Sequence, residues 1–448
     1  MNINKLLANM ILSVFALSTL VLLSLIYYYI RRVNLIVTPK AIKFKHHPQT
    51  LYTDKLRYVQ GETIECYVNT DLPSTISVYI LKEEKHLVQC YENIPVCRNQ
   101  NYYHPKNGCS WSKTLTIDTA TLESGLYIIG IKTEDQVKES FFHAIALVPK
   151  QQKTKLAVFA STNTWLAYNC YGGKSNYLDQ QNHTIFKIPF KLMGKVVPAY
   201  LPTKRPHLQN PNDVANGHYN YDNVYDSFEF AQHPRREWPL LAFLYQNNLN
   251  FELYTDWDLA YNPEILNYDK WIFNNHSEYW SAEMKGMLKK YMEKGGKVII
   301  ASGNNLYRDV EFYNEGIKMG NQVSDMEITT KLTGSFFTED GYLTLASYKI
   351  IERNHFAFEG ITTTHFGEKS LYSYQGVTGA SGIETDKINY HSDGFEIIAV
   401  GNNAQGPAHM VFKQTEKGWI FNASSISFAN SVLVDENCAK LMLNLLKN

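Results

Sequence analysis

Trp271-Ile-Phe-Asn-Asn-His276-Ser-Glu278-Tyr279-Trp280 is the point where an apolar, strand-like run gives way to a helix-like one. The run from Ala282 to Lys294 begins just after it, and Ser281 with Glu283 gives that helix a polar start. Between the two runs a histidine and a carboxylate stand two residues apart, beside two aromatics. In α/β sheets, ligands bind in the crevice past the carboxyl ends of the strands, where such a loop would lie. A solvated loop without chemistry would show the same local pattern, so the surrounding chain has to decide.

Outward from this stretch the chain alternates. Lys155 to Ala160 is a short apolar run of the buried parallel-strand kind, and it leads into Ser161-Thr-Asn-Thr164-Trp-Leu-Ala-Tyr168. Trp238 to Tyr245 reads as helix and Phe251 to Tyr254 as strand, followed by Asp256 and Asp258. The helix from Ala282 closes at Gly295-Gly296, a C-cap signal. Lys297 to Ala301 is another strand, ending in Ser302-Gly-Asn304-Asn305, and Trp419 to Phe421 is one more, with a final helix over Cys438 to Leu445. This alternation predicts an open, mostly parallel α/β sheet with right-handed crossovers. Thr164 to Tyr171, Asp256, His276 to Glu278 and Asn304 all follow strands, so they can converge along one edge.

Residues 47–150 read differently. Glu62 to Val68, Thr75 to Ile80, Lys113 to Ile117, Gly125 to Ile131 and Phe141 to Val148 are short runs, several alternating with period two, as in an immunoglobulin-like β-sandwich. No catalytic constellation falls in them. Cys66, Cys90, Cys97 and Cys109 cluster here, apart from Cys170 and Cys438, and suit two disulfides in an oxidising compartment.

From Leu6 to Ile30 no residue is charged, which is long enough for a membrane-spanning helix, with Tyr27 to Tyr29 as an interfacial belt. Arg31 and Arg32 after it, against Lys5 before it, favour a cytoplasmic body. The cysteine cluster and the sequons at Asn182, Asn275 and Asn422 favour the outside. The expectation is a single-pass membrane protein with an extracytoplasmic body. The chain then divides into an anchor and linker at 1–46, a sandwich at 47–150 and an α/β domain at 151–448.

With 43 basic and 43 acidic residues the net charge is zero, which argues against nucleic acid as a partner. A small-molecule ligand, the membrane and self-association are the partners expected. No GxSxG elbow, HExxH zinc helix or dinucleotide fingerprint is present. Cys170 with His276 lacks a nucleophile signature, and Gly172-Gly173 lacks phosphate-loop spacing. His276 and Glu278 with phenol oxygens would suit a hard ion such as oxidised iron.

Together the motifs resemble the large subunit of N,N-dimethylformamidase and its C-terminal-domain relatives. The pieces are Asn163-Thr-Trp-Leu-Ala-Tyr-Asn169 with Gly172-Gly173, Arg205-Pro206, His276-Ser-Glu-Tyr-Trp280, Gly295-Gly296 with Gly303-Asn304-Asn305, Asn354 to Gly360, and Gly382-Ile-Glu-Thr-Asp386. The resemblance implies hydrolysis of a C–N amide bond at a mononuclear Fe3+ held by two tyrosines and one glutamate. It implies Tyr168 and Glu278 as ligands, and Tyr200 as the second tyrosine with Tyr171 as fallback. His276 is then the general base, and Asn304 and Glu384 orient substrate or water. The fold expected is multidomain α+β, its second sheet of the flavodoxin or glutamine-amidotransferase kind. Residues 185–235 depart from the family, and the polar, Tyr-rich segment from Pro206 to His233 would reshape the pocket, which leaves the substrate open. The competing expectation is a membrane-anchored surface protein that binds a glycan or peptide through the same aromatic pocket.

Overall fold

The computed structural model describes residues 14–27, 42–43, 49–99, 102–104, 106–173, 175–176, 200–208, 221–225 and 233–448. The chain is mixed α+β with several sheets. The largest has nine strands. In chain order they are β1 (Leu156–Ala160), β2 (Glu252–Thr255), β3 (Lys270–Asn275), β4 (Lys297–Ser302), β5 (Tyr348–Ile350), β6 (His365–Phe366), β7 (Glu396–Gly401), β8 (His409–Gln414) and β9 (Trp419–Asn422). Their spatial order is β2-β1-β3-β4-β9-β8-β7-β5-β6. From β2 to β9 every pairing is parallel, and from β9 to β6 every pairing is antiparallel.

The parallel strands are buried on both faces, which is why they read as unbroken apolar runs rather than alternating ones. Trp271 on β3 stacks flat on Tyr291, with ring centroids 3.7 Å apart. That contact seats the helix Ala282–Glu293 against the sheet. Ser281 caps this helix by accepting from the Met284 N–H at 3.3 Å. Chain order reverses between β1 and β3, the place where such sheets bind ligands.

Residues 50–148 form a five-stranded and a three-stranded sheet. Leu51, Ile64 and Val68 of the smaller share one buried cluster with Ile76, Val78 and Ile129 of the larger, as in a sandwich. That cluster runs on into Trp165, Trp238 and Leu241, so the two regions are packed together. Arg57 adds a charged clamp, its Nε donating to Asp258 at 2.8 Å.

Two expectations are overturned. The helix described near the N-terminus covers residues 14–27, and no helix among the described residues is long and apolar enough to cross a membrane. A single-pass membrane placement is therefore not supported. The expected disulfides are also absent: none of Cys66, Cys90, Cys97 and Cys109 is disulfide-bonded. Cys66 is buried on a central strand, Cys90 is exposed on the edge strand Lys85–Ile94, Cys97 is held through its backbone by Thr70, and Cys109 is buried. The sequons weaken the same way. Asn275 and Asn422 are buried and their amides are hydrogen-bonded inside the fold, while Asn182 lies outside the described residues.

Candidate active site

Three strand ends and one distant loop build the site. β1 turns at Ser161 into helix α1 (Thr162–Tyr168). Two buried carboxylates hold its first turn. Glu237 Oε1 accepts from the Ser161 N–H at 3.0 Å, and Asp256 Oδ2 accepts from the Asn163 N–H at 2.7 Å. Thr164 and Tyr168, four residues apart, then share one face of the helix. Arg205 is buried and donates to the Leu166 carbonyl at 2.9 Å, which ties down the far end of α1.

β3 delivers His276 and Glu278. Thr164 Oγ1 donates to the His276 carbonyl at 2.7 Å and accepts from the Glu278 N–H at 3.4 Å, so one hydroxyl brackets the loop. β4 delivers Asn304. Gly303 precedes it because a Cβ there would lie 2.6 Å from the backbone of both Glu384 and Ile426. This close approach lets Asn304 reach Glu384, 2.7 Å from Nδ2 to Oε2. Asp386 fixes the turn by accepting from the Asn304 N–H at 2.8 Å and from Asn305 Nδ2 at 3.0 Å.

The groups meet closely. Tyr168 donates its hydroxyl to Glu278 Oε2 at 3.0 Å. His276 Nε2 stands 3.4 Å from the same oxygen and 3.3 Å from Glu384 Oε2. His276 and Glu278 are each 1% exposed. Burial opposes the imidazolium, but the carboxylates of Glu384, Glu278 and Asp386 outweigh it and raise the His276 pKa. Burial raises the Glu278 pKa, and Glu384 adds to this against the pull of His276, Tyr168 and Arg308. Asp386 is pushed up to about 7, mainly by burial.

The backbone around these groups is strained. Asn275, Asn304, Leu306, Ile383 and Ser424 all have φ between 51° and 67°, the left-handed region. For Ile383, β-branched, that is a true outlier. Such residues persist only where the surroundings over-determine them, and they gather at functional sites.

Tyr168, His276, Glu278, Asn304 and Glu384 are thus brought together. Tyr200 is not. It pairs with Lys318, its ring packs on Tyr313 at 4.7 Å, and Lys106 sits over it at 4.8 Å. Its strand stands three strands from Tyr279–Trp280 in a separate four-stranded sheet. At about 4.8 Å per strand that is roughly 14 Å of sheet. Tyr171 packs edge-on against Trp111, centroids 6.5 Å apart, on the sandwich side. Asp256 turns to cap α1 instead of facing the cluster. Glu237, Asp386 and Arg308 escaped the sequence reading. Glu237 follows Arg235 and Arg236, and three charges heading an apolar helix with Pro239 in its first turn were a signal, since all three are buried.

Residues 91–331 match the family model described as N,N-dimethylformamidase beta subunit-like, C-terminal. The match takes in more than half of the chain, and with it Tyr168, His276, Glu278 and Asn304, while Glu384 lies beyond it. No curated protein matches the chain.

Proposed function

The chain belongs to the N,N-dimethylformamidase beta subunit-like family, and from that premise we propose that it hydrolyses the C–N bond of a small amide at the cluster of Tyr168, His276, Glu278, Asn304 and Glu384. One observation carries the reading: a phenol, a carboxylate and an imidazole meet within 3.4 Å at the carboxyl ends of parallel strands. The catalytic unit in this reading is 151–448, with its flavodoxin-like sheet order, and 47–150 is an immunoglobulin-like support.

The family implies a mononuclear iron. Tyr168 and Glu278 fit such an ion. Their oxygens are 3.0 Å apart, close enough that both would be donors to one ion. Both are hard oxygen donors, suited to Fe3+. Tyr200 does not complete the set in this arrangement. An iron bound there supplies Lewis acidity toward the amide carbonyl.

The residues of the chain do the rest. His276 takes a proton from the attacking water and returns it to the leaving nitrogen as the C–N bond breaks, giving a carboxylic acid and an amine. Glu384, 3.3 Å from the same Nε2 that faces Glu278, steadies the imidazolium formed midway. Asn304 and Glu384 orient water or substrate, and Asp386 keeps Asn304 in its strained turn. The test is elemental analysis of purified protein. Wild type should carry one equivalent of iron, and Glu278→Ala should be folded by circular dichroism but without iron. Stoichiometric iron in the variant would refute the ligand assignment.

A further inference from the structure

Arg308 stands at the edge of this cluster with its charge uncommitted. It opens the strand Arg308–Tyr313, where it is the register partner of Tyr279, whose ring lies 6.2 Å from that of Tyr168. Partners in a sheet project on the same face with Cβ atoms about 5 Å apart, so Arg308 begins beside the Tyr168–Tyr279 wall. Its own N–H donates to the Glu278 carbonyl at 3.0 Å, which ties its backbone to the Glu278 loop. The guanidinium carbon sits 5.1 Å over the ring of Tyr307. Its Nε is sealed from solvent without a hydrogen-bond partner, although the side chain as a whole is only half-buried.

Arg205 donates to three backbone carbonyls and Arg57 is paired with Asp258, whereas Arg308 Nε has no such partner among the described residues. Arg308 is near enough to Glu278 for its charge to favour the carboxylate, yet it forms no ion pair with it. A guanidinium is a rigid fork that matches a carboxylate. Its terminal nitrogens, unlike Nε, are not sealed, and an anionic group on the ligand would meet them.

We propose that the substrate is an amide that also bears a carboxylate, held by Arg308 at the rim while its C–N bond lies at His276 and Glu278. This rests on the amidase reading above. The aromatic face of Tyr307 backs the guanidinium and limits how far it can swing, so the distance between carboxylate and amide becomes a specificity determinant.

The test compares N-formylglycine with N-propylformamide, which keeps the shape and lacks the charge. Binding is measured by calorimetry on the full chain carrying His276→Gln, and amine release on wild type. N-formylglycine should bind about tenfold or more tighter. Adding Arg308→Leu should bring the ratio near one, and Arg308→Lys should restore part of it. Equal binding of the two amides, binding of neither, or a ratio untouched by Arg308→Leu would overturn the proposal. Loss of affinity for both amides alike would also overturn it, since Arg308 would then only support Glu278. Selective binding without amine release would leave the carboxylate site standing and sink the amidase reading instead.

Discussion

Two histidines, one in each half of the molecule, are buried almost completely and end up opposite in character. His143, on a sandwich strand, has one polar contact on its ring, Thr53 Oγ1 at 3.0 Å from Nε2. Burial alone drives its pKa down to about 3. His276 is buried as deeply, but Glu278 and Glu384 stand within 3.4 Å of its Nε2, and its pKa is raised. Burial therefore does not by itself set which way an imidazole's pKa moves; the neighbouring carboxylates reverse it. The sandwich stores a neutral ring as packing. The α/β sheet gathers acids around a ring at its strand ends, at the expense of a strained backbone.

The contrast can be broken most severely at Glu278. Glu278→Gln keeps the shape and removes the charge shared by Tyr168 and His276, and kcat should fall by about 10³ or more with near-ultraviolet dichroism unchanged. A loss below tenfold would show that the cluster is not the reacting centre. His276→Gln should cost about 10² to 10⁴ in kcat, the usual worth of a positioned base. His143→Gln should leave kcat within about twofold of wild type, because the sandwich histidine touches no reacting group.

The same two regions should respond to pH with opposite signs. Asp256 and Glu237, which anchor α1, are pushed up by burial to about 7 and about 8. Their folded pKa values lie above the unfolded ones. The stability they contribute is complete below pH ~4 and is lost as pH rises toward 7 and 8, by about 1.4 kcal/mol per pH unit for each group. Asp256→Asn should therefore gain in Tm relative to wild type as pH rises through that window. His143 is shifted down, so its contribution is present above pH ~6.5 and lost as pH falls toward 3. His143→Gln should gain on wild type in acid. Parallel pH slopes for the two variants would refute the assignment. A smaller catalytic effect than at Glu278 or His276 is expected at Thr164, where Thr164→Val removes one bracketing hydroxyl and should cost about 1 kcal/mol of stability with a severalfold loss of kcat.

Much of this was legible in the sequence, for physical reasons that vary by element. Strands buried on both faces leave unbroken apolar runs, so β1, β3 and β4 could be read with their ends, and the ends carry Tyr168, His276 and Asn304. Glu384 reaches the cluster from 80 residues beyond Asn304, a pairing that only the family resemblance suggested. Glu237 was not singled out, and Asp386 stood only within the Gly382–Asp386 motif without a role, because nothing local marks a carboxylate that will be fully buried against backbone N–H groups. Tyr200 was placed by analogy, and the four-stranded sheet carries it away. The cysteines misled because sequence proximity says nothing about which face each thiol takes. The apolar N-terminus suggested a membrane span, but no helix among the described residues is long and apolar enough to cross a membrane.

The most direct test is amine release from a panel of small amides by the purified full-length chain, wild type beside Glu278→Gln. Steady release by wild type with none above background from the variant is the predicted result. Equal release by both proteins, or none from wild type on any amide, would contradict the account.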